Sequence, residues 1–174
     1  MTIINCDAKG LEVYCGAYLS NDKVMKEELI AGIDMHSANM EAFKLPSRLI
    51  AKVFKFRLMY GGQAYSYARD PDFTGVSTSE KYWQKVIDAY YDKYKGFAEW
   101  HNKIVQEVTT TGQLVMPTGR IYTFDRTNRG DWPVTQIKNY PVQGLGADIM
   151  SVARVSFYRR FKEAKIDGYC VNTV

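Results

Sequence analysis

Residues 46–62 read PSRLIAKVFKFRLMYGG, and this stretch organises the rest of the chain. Pro46 suits the first turn of a helix and Gly61-Gly62 its end, so a helix running to about Tyr60 is expected. Within it Arg48, Lys52, Phe56 and Tyr60 recur at every fourth position. Four residues at ~100° each advance about 400°, so the set drifts ~40° per step while climbing ~6 Å. The result is a spiralling stripe, cationic at its start and aromatic at its end. A nucleoside triphosphate has the same polarity, with phosphates at one end and a flat base at the other. A Phe/Tyr stripe at helical spacing also fits a packed core. The cationic half counts against that alternative, because core stripes do not continue into Arg and Lys.

The flanking charge is one-sided. No acidic residue lies between Glu41 and Asp70, whereas Lys44, Arg48, Lys52, Lys55, Arg57 and Arg69 do, interleaved with Phe54, Phe56, Tyr60, Tyr65 and Tyr67. A second basic cluster, Arg154, Arg159, Arg160, Lys162 and Lys165, is relieved only by Glu163. Cations mixed with rings suit polyanions whose bases stack; a solvated basic helix face is the plainer alternative. The whole chain, at 174 residues, 46% hydrophobic and 24% charged with a net charge of +4, has ample material for a core. Disorder and a small disulfide scaffold are excluded. Three scattered cysteines, Cys6, Cys15 and Cys170, and two distant histidines, His36 and His101, make neither a disulfide framework nor a zinc site. With no signal peptide and no apolar run of the ~18 residues a bilayer requires, a cytoplasmic protein without a membrane partner is expected.

Working outward, Thr2 to Cys6 reads as a short strand and Leu11 to Leu19 as strand or helix. Ser20-Asn21-Asp22 should cap a helix from Lys23 to Ala31 that Gly32 ends, followed by a helix over His36 to Phe43. Asp70 to Ser79 reads as a loop, and Glu80 to about Thr110 as helix broken near Gly96. Gln113–Met116 and Arg120–Phe124 flank Pro117-Thr118-Gly119, a hairpin signal. Asn139 to Gly144 reads as a polar turn opening a helix from Gly144 to Ala164, and Gly168 to Val174 as a closing strand. The expected class is α+β, helix-rich, with a small antiparallel sheet. A terminal apolar strand leaves an unpaired edge, so the chain reads as a fragment.

Three further places carry chemistry. Asp7, at the end of the first strand, suits a Mg²⁺ ligand for phosphoryl or nucleotidyl transfer, although a turn aspartate is the plainer reading of the residue alone. His36, in Asp34-Met35-His36-Ser37, sits where an imidazole can meet phosphate or simply form a structural hydrogen bond. Asn139 and Gln143 offer amides suited to the minor-groove edges of base pairs, or ordinary helix caps.

Taken in order, these segments resemble the polymerase core of family A DNA polymerases, over essentially the whole chain. Asn5-Cys6-Asp7-Ala8-Lys9-Gly10-Leu11-Glu12-Val13 is similar to motif A, and Arg48-x-x-x-Lys52-x-x-x-Phe56-x-x-x-Tyr60-Gly61 to motif B. Asp34-x-His36 matches a further family element, and Asn139-Tyr140-Pro141-Val142-Gln143-Gly144 the segment that tracks the primer-template minor groove. Val171-Asn172-Thr173-Val174 resembles the strand leading to motif C.

The resemblance implies a palm segment at residues 1–33, fingers at 34–124 and a return to the palm at 125–174. It implies template-directed DNA synthesis from dNTP on a primer-template, with two Mg²⁺ ions as cofactor. Asp7 and the Ala8 carbonyl become metal ligands and Glu12 a steric gate against the ribose 2′-hydroxyl. Arg48, Lys52 and His36 become triphosphate contacts, with Lys52 also the proton donor to pyrophosphate. Phe56 packs on the sugar, Tyr60 lies beside the templating pair, and Asn139 and Gln143 donate to the minor groove. The chain departs from the family at Ala8-Lys9-Gly10 in motif A, and at Lys55 and Arg57, where Asn and Gly are common. Those two cations are expected to meet template or solvent, and Asp148 to serve structure. A C-terminal polymerase segment carrying motif C is the implied further partner, on the same or a separate chain, without which the isolated chain should be inactive. The competing readings are a non-catalytic nucleic-acid-binding relic and one half of a split polymerase.

Overall fold

Phe54 has no exposed surface and decides how its helix is turned. The computed structural model describes residues 6–168. In it α4 (Arg48–Met59) is capped by Ser47, whose hydroxyl accepts from Ile50 N at 3.2 Å, so Pro46 precedes the helix instead of opening it. The Phe54 ring lies 5.1 Å from Tyr67, 6.0 Å from Trp83, 6.1 Å from Tyr90 and 6.5 Å from Phe43, centroid to centroid. The Tyr67 hydroxyl also donates to the Phe54 carbonyl at 2.9 Å. Ala51, Phe54, Leu58 and Met59 therefore face the core, Arg48 and Lys52 are exposed, and Phe56 and Tyr60 are half-buried against the edge of the core. Core packing accounts for part of the aromatic half of the stripe but not for its cationic half. The bury-and-stack contributions of such rings run to about 0.5–1.5 kcal/mol per pair beyond area.

Around α4 stand α1 (Leu11–Ser20), α2 (Lys23–Ile30), α3 (Met35–Ala42), the short α5 (Ala64–Arg69) and α6 (Pro71–Thr74), then α7 (Glu80–Lys93) and α8 (Lys95–Thr111). Leu11–Leu19, open between strand and helix in the sequence, is helix. The α7–α8 break falls at Tyr94, two residues before Gly96, and the stretch expected to be loop from Asp70 contains α6. Strands β1 (Gln113–Val115) and β2 (Ile121–Thr123) form the expected antiparallel hairpin, with Leu114 opposite Tyr122. The strands expected over Thr2–Cys6 and Gly168–Val174 fall, but for Cys6 and Gly168, outside the described residues.

The clearest correction is α9 (Val134–Glu163), which begins ten residues before the expected Gly144 and carries Asn139–Gly144 inside it. Pro141 removes a backbone donor from a helix interior, a cost of about 3 kcal/mol. Burial of Ile137, Val142 and Leu145 on both sides of the proline holds the helix together across it. The helix packs on α1 and α8. Its small residues are where neighbours come closest: a Cβ on Gly146 would lie 3.4 Å from Leu11 Cδ2, and one on Gly144 would collide with the Tyr122 hydroxyl.

One carboxylate joins two helix starts. Asp22 is buried, accepts from Met25 N at 2.8 Å to cap α2, and accepts from Phe97 N at 3.1 Å in the first turn of α8. Gly96 permits that approach, since a Cβ there would stand 3.0 Å from Asp22 Cα. Replacing Asp22 with Ala should cost about 2–3 kcal/mol in urea unfolding, from one lost cap and one orphaned buried N–H, with Asp22→Asn losing less. A loss near zero for the alanine variant would mean that water satisfies both amides.

Candidate nucleotide-binding face

The outward stripe of α4 is completed by residues from α1, α3 and α9. Asp34 caps α3 and also grips the stripe: its Oδ2 accepts from Arg48 Nε at 2.6 Å and its Oδ1 from Arg48 Nη2 at 3.2 Å. Ser37 Oγ and His36 N donate to the same carboxylate at 2.8 and 3.1 Å. With the Arg48 guanidinium first among these donors, the carboxyl is held well below the usual carboxylate range. Two of the five guanidinium N–H donors are thus engaged, and the Nη1 edge stays available. Lys52, one turn on, is exposed and has no ion pair among the described residues.

His36 stands over Phe56, ring centroids 5.9 Å apart and tilted by 44°. Burial, with Lys55, Arg48 and Lys52 nearby, pushes the imidazole pKa down to about 4. At neutral pH it is therefore an uncharged hydrogen-bonding group. Its Nδ1 is buried without a partner among the described residues.

At the far end of the stripe, Gln143 Nε2 donates to the Tyr60 hydroxyl at 2.5 Å, joining α9 to the end of α4 across 83 residues of sequence. Gly61, at φ +85°, makes the crossing possible: a Cβ would stand 3.3 Å from Thr135 Cα. Glu12 lies in the first turn of α1 and its charge acts on the Tyr60 hydroxyl, which burial foremost holds above the ordinary phenol range. Gly16, a turn later, leaves room for the Met59 side chain, where a Cβ would be only 2.9 Å from Met59 Cε. Asn139 is half-buried one turn before Gln143, with its Oδ1 buried and unpartnered among the described residues.

Asp7 and Ala8 are exposed on the segment leading into α1, separated from Glu12 by the Gly10 turn at φ +68°. Asp7 has no ion pair with Arg48 or any other described residue. Its carboxylate and the Ala8 carbonyl are hard oxygen donors of the kind Mg²⁺ takes, and Mg²⁺ is commonly held by one or two carboxylates with water and phosphate. They fit part of such a site. Among the described residues no three His, Cys, Asp or Glu side chains gather as a complete one.

Of the two unusual cations of α4, Arg57 is partly exposed to solvent and Lys55 is not. Arg57 pairs with Asp70 and, at 2.8 Å, with Asp72, and lies 4.9 Å over the Phe73 ring, clamping α4 to α6. Lys55 is only 1% exposed. Asp148 serves structure, as expected: it accepts from Thr118 Oγ1 at 2.8 Å and pairs with Arg120, docking the hairpin on α9.

The sequence matches the family model of DNA polymerase family A over residues 1–174. DNA polymerase I of Aquifex aeolicus is 27% identical over 99% of this chain and 31% of its own length. The DNA polymerase of Mycobacterium phage D29 is 27% identical over 91% of this chain and 25% of its own. The chain thus spans about a third or less of these relatives. The fold is shared with the POL domain of Pol1 from M. smegmatis, solved with DNA primer-template and dNTP, at a TM-score of 0.79 and 24% identity over 92% of this chain and 30% of that one. No helix among the described residues is long and apolar enough to cross a membrane. With the match running through every residue and the helix-rich fold shared with a polymerase domain, the chain belongs to DNA polymerase family A.

Proposed function

We propose that these residues form palm and fingers portions of a template-directed DNA polymerase, in which the outward face of α4 receives the incoming dNTP. The observation that carries this is the ordered row itself: a cation held in place by Asp34, a Lys52 with no ion pair among the described residues, a neutral imidazole over Phe56, then Tyr60 tied to Gln143. The row runs from exposed cations suited to phosphate to half-buried rings suited to sugar and base along one helix face. Residues 1–33 and 125–174 serve the palm and 34–124 the fingers.

Arg48, kept in orientation by Asp34, donates its remaining N–H edge to phosphate oxygen. His36 adds an uncharged hydrogen bond. Lys52 binds the same tail and is placed to give a proton to the departing pyrophosphate, lowering the barrier to its release. Phe56 packs on the deoxyribose, while Glu12 occupies the space a 2′-hydroxyl would need. Tyr60 and Gln143, fixed to each other, bring the end of α4 against α9, where Asn139 and Gln143 lie one turn apart to donate to minor-groove acceptors of the primer-template. Asp7 and the Ala8 carbonyl would hold Mg²⁺. When bound, the two ions would activate the primer 3′-hydroxyl and neutralise charge on the α-phosphate and pyrophosphate.

In the complete polymerase, Asp7→Ala should cut primer extension by about 10²-fold or more. Undiminished extension would remove Asp7 from the chemistry. Salt-sensitive DNA binding with no Mg²⁺-dependent incorporation by the unmutated enzyme would instead support a binding relic. Glu12→Ala should raise the ratio of ribonucleotide to deoxynucleotide incorporation by roughly tenfold or more, measured by single-nucleotide extension. An unchanged ratio would show that the glutamate is no gate.

A further inference from the structure

Lys55 follows Arg48 by seven residues, which places it about 20° from Arg48 around the helix axis and ~10 Å further along. Arg48, Lys52 and Lys55 therefore form one row within about 60° of arc. The first two are exposed; Lys55 is 1% exposed.

The charged groups that face Lys55 come from four helices: Glu12 of α1, Glu28 of α2, Asp34 at the start of α3, and Lys52 of α4 itself. His36 of α3 feels the Lys55 charge in turn. Among the described residues none of these carboxylates forms an ion pair with Lys55, and two are already committed. Asp34 is held by Arg48 and Ser37. Glu28 accepts from the Tyr94 hydroxyl at 2.7 Å and pairs with Lys93 of α7 at 2.8 Å. The Lys55 ammonium instead lies 5.6 Å from the Phe56 ring centroid, the ring that His36 covers. On the same face of α3, one turn from His36, Asn39 Nδ2 is buried without a partner among the described residues. A buried amine without a counter-ion is costly to keep charged, unless a ligand supplies the negative charge.

We infer that Lys55 is a third phosphate-binding cation of the α4 row, and that the triphosphate of the incoming nucleotide is its counter-ion. This assignment rests on the nucleotide reading of the α4 face. Burial foremost brings the Lys55 pKa down to about 8, so the free protein loses this charge as pH rises through that value. A phosphate beside the amine favours its charged form. Nucleotide binding then takes up a proton near pH 8, and affinity falls as pH rises. A single group titrating at about 8 in the free protein, and well above it in the complex, weakens binding about tenfold between pH 7 and pH 9.

The test is calorimetric titration of dATP with Mg²⁺ into the protein and its Lys55→Met, Lys55→Arg and Arg48→Ala variants at pH 7, 8 and 9. The unmutated protein should lose about tenfold in affinity across the range. Lys55→Met should bind about tenfold more weakly at pH 7 and lose the extra pH dependence. Lys55→Arg should recover affinity at pH 7 and also lack the decline, because its guanidinium stays protonated. Should Lys55→Met follow the unmutated protein at every pH while Arg48→Ala loses dATP, the nucleotide face stands and the Lys55 assignment falls. Should dATP bind to none of them, the nucleotide reading fails and takes Lys55 with it. If Lys55→Met melts far below the unmutated protein, the arginine variant decides: a flat profile supports the assignment and an unmutated-like decline overturns it.

Discussion

The seating of the Phe54 ring among Phe43, Tyr67, Trp83 and Tyr90 is the constraint on which the remaining geometry depends. A helix has one rotational freedom about its axis, and four neighbouring rings plus the Tyr67 hydroxyl on the Phe54 carbonyl remove it. Once Phe54 points inward, the 3.6-residue period turns Lys52 and Phe56 about 160° away from it and Arg48 and Tyr60 about 120°; packing of neighbouring side chains then half-buries Phe56 and Tyr60. The proposed nucleotide face is thus a consequence of core packing on the opposite side. Arg57, clamped by Asp70 and Asp72, holds the far end of the helix against the same turn.

Much of the fold was legible because its signals are local. Asp22 before Lys23 is an N-cap pattern, and it does cap α2. Its second bond, to Phe97 N, joins segments 75 residues apart and has no local signature. The turn residues Pro117-Thr118-Gly119 gave the hairpin for the same local reason. Pro141 misled in α9: proline and the polar residues around it favour a turn, and only burial of Ile137, Val142 and Leu145 against other helices reverses that preference. The short helices α5 and α6 escaped notice because six and four residues show too little periodicity.

The site divides in the same way. Spacing alone placed Arg48, Lys52, Phe56 and Tyr60 on one stripe, and the motif order linked it to Glu12, His36 and Gln143. The structure joins Asp34 to Arg48, His36 to Phe56 and Gln143 to Tyr60. Asp7 stays at the exposed approach to α1, connected to this cluster through the chain. Lys55, expected to meet template or solvent, is withdrawn from solvent. What spacing cannot reveal is that this position is buried, and burial is what changes the chemistry of a lysine.

The central claim is that the outward face of α4, and no other basic surface, holds the nucleotide. The exposed stretch of α9 bearing Arg154, Arg159, Arg160 and Lys162 is the rival polyanion surface. The most direct measurement is a crystal structure of the protein with primer-template and a non-hydrolysable dNTP. The account predicts triphosphate oxygens within hydrogen-bonding reach of Arg48 and Lys52, with the sugar against Phe56. Phosphates seated on the α9 cluster, with the α4 face turned to solvent, would contradict it.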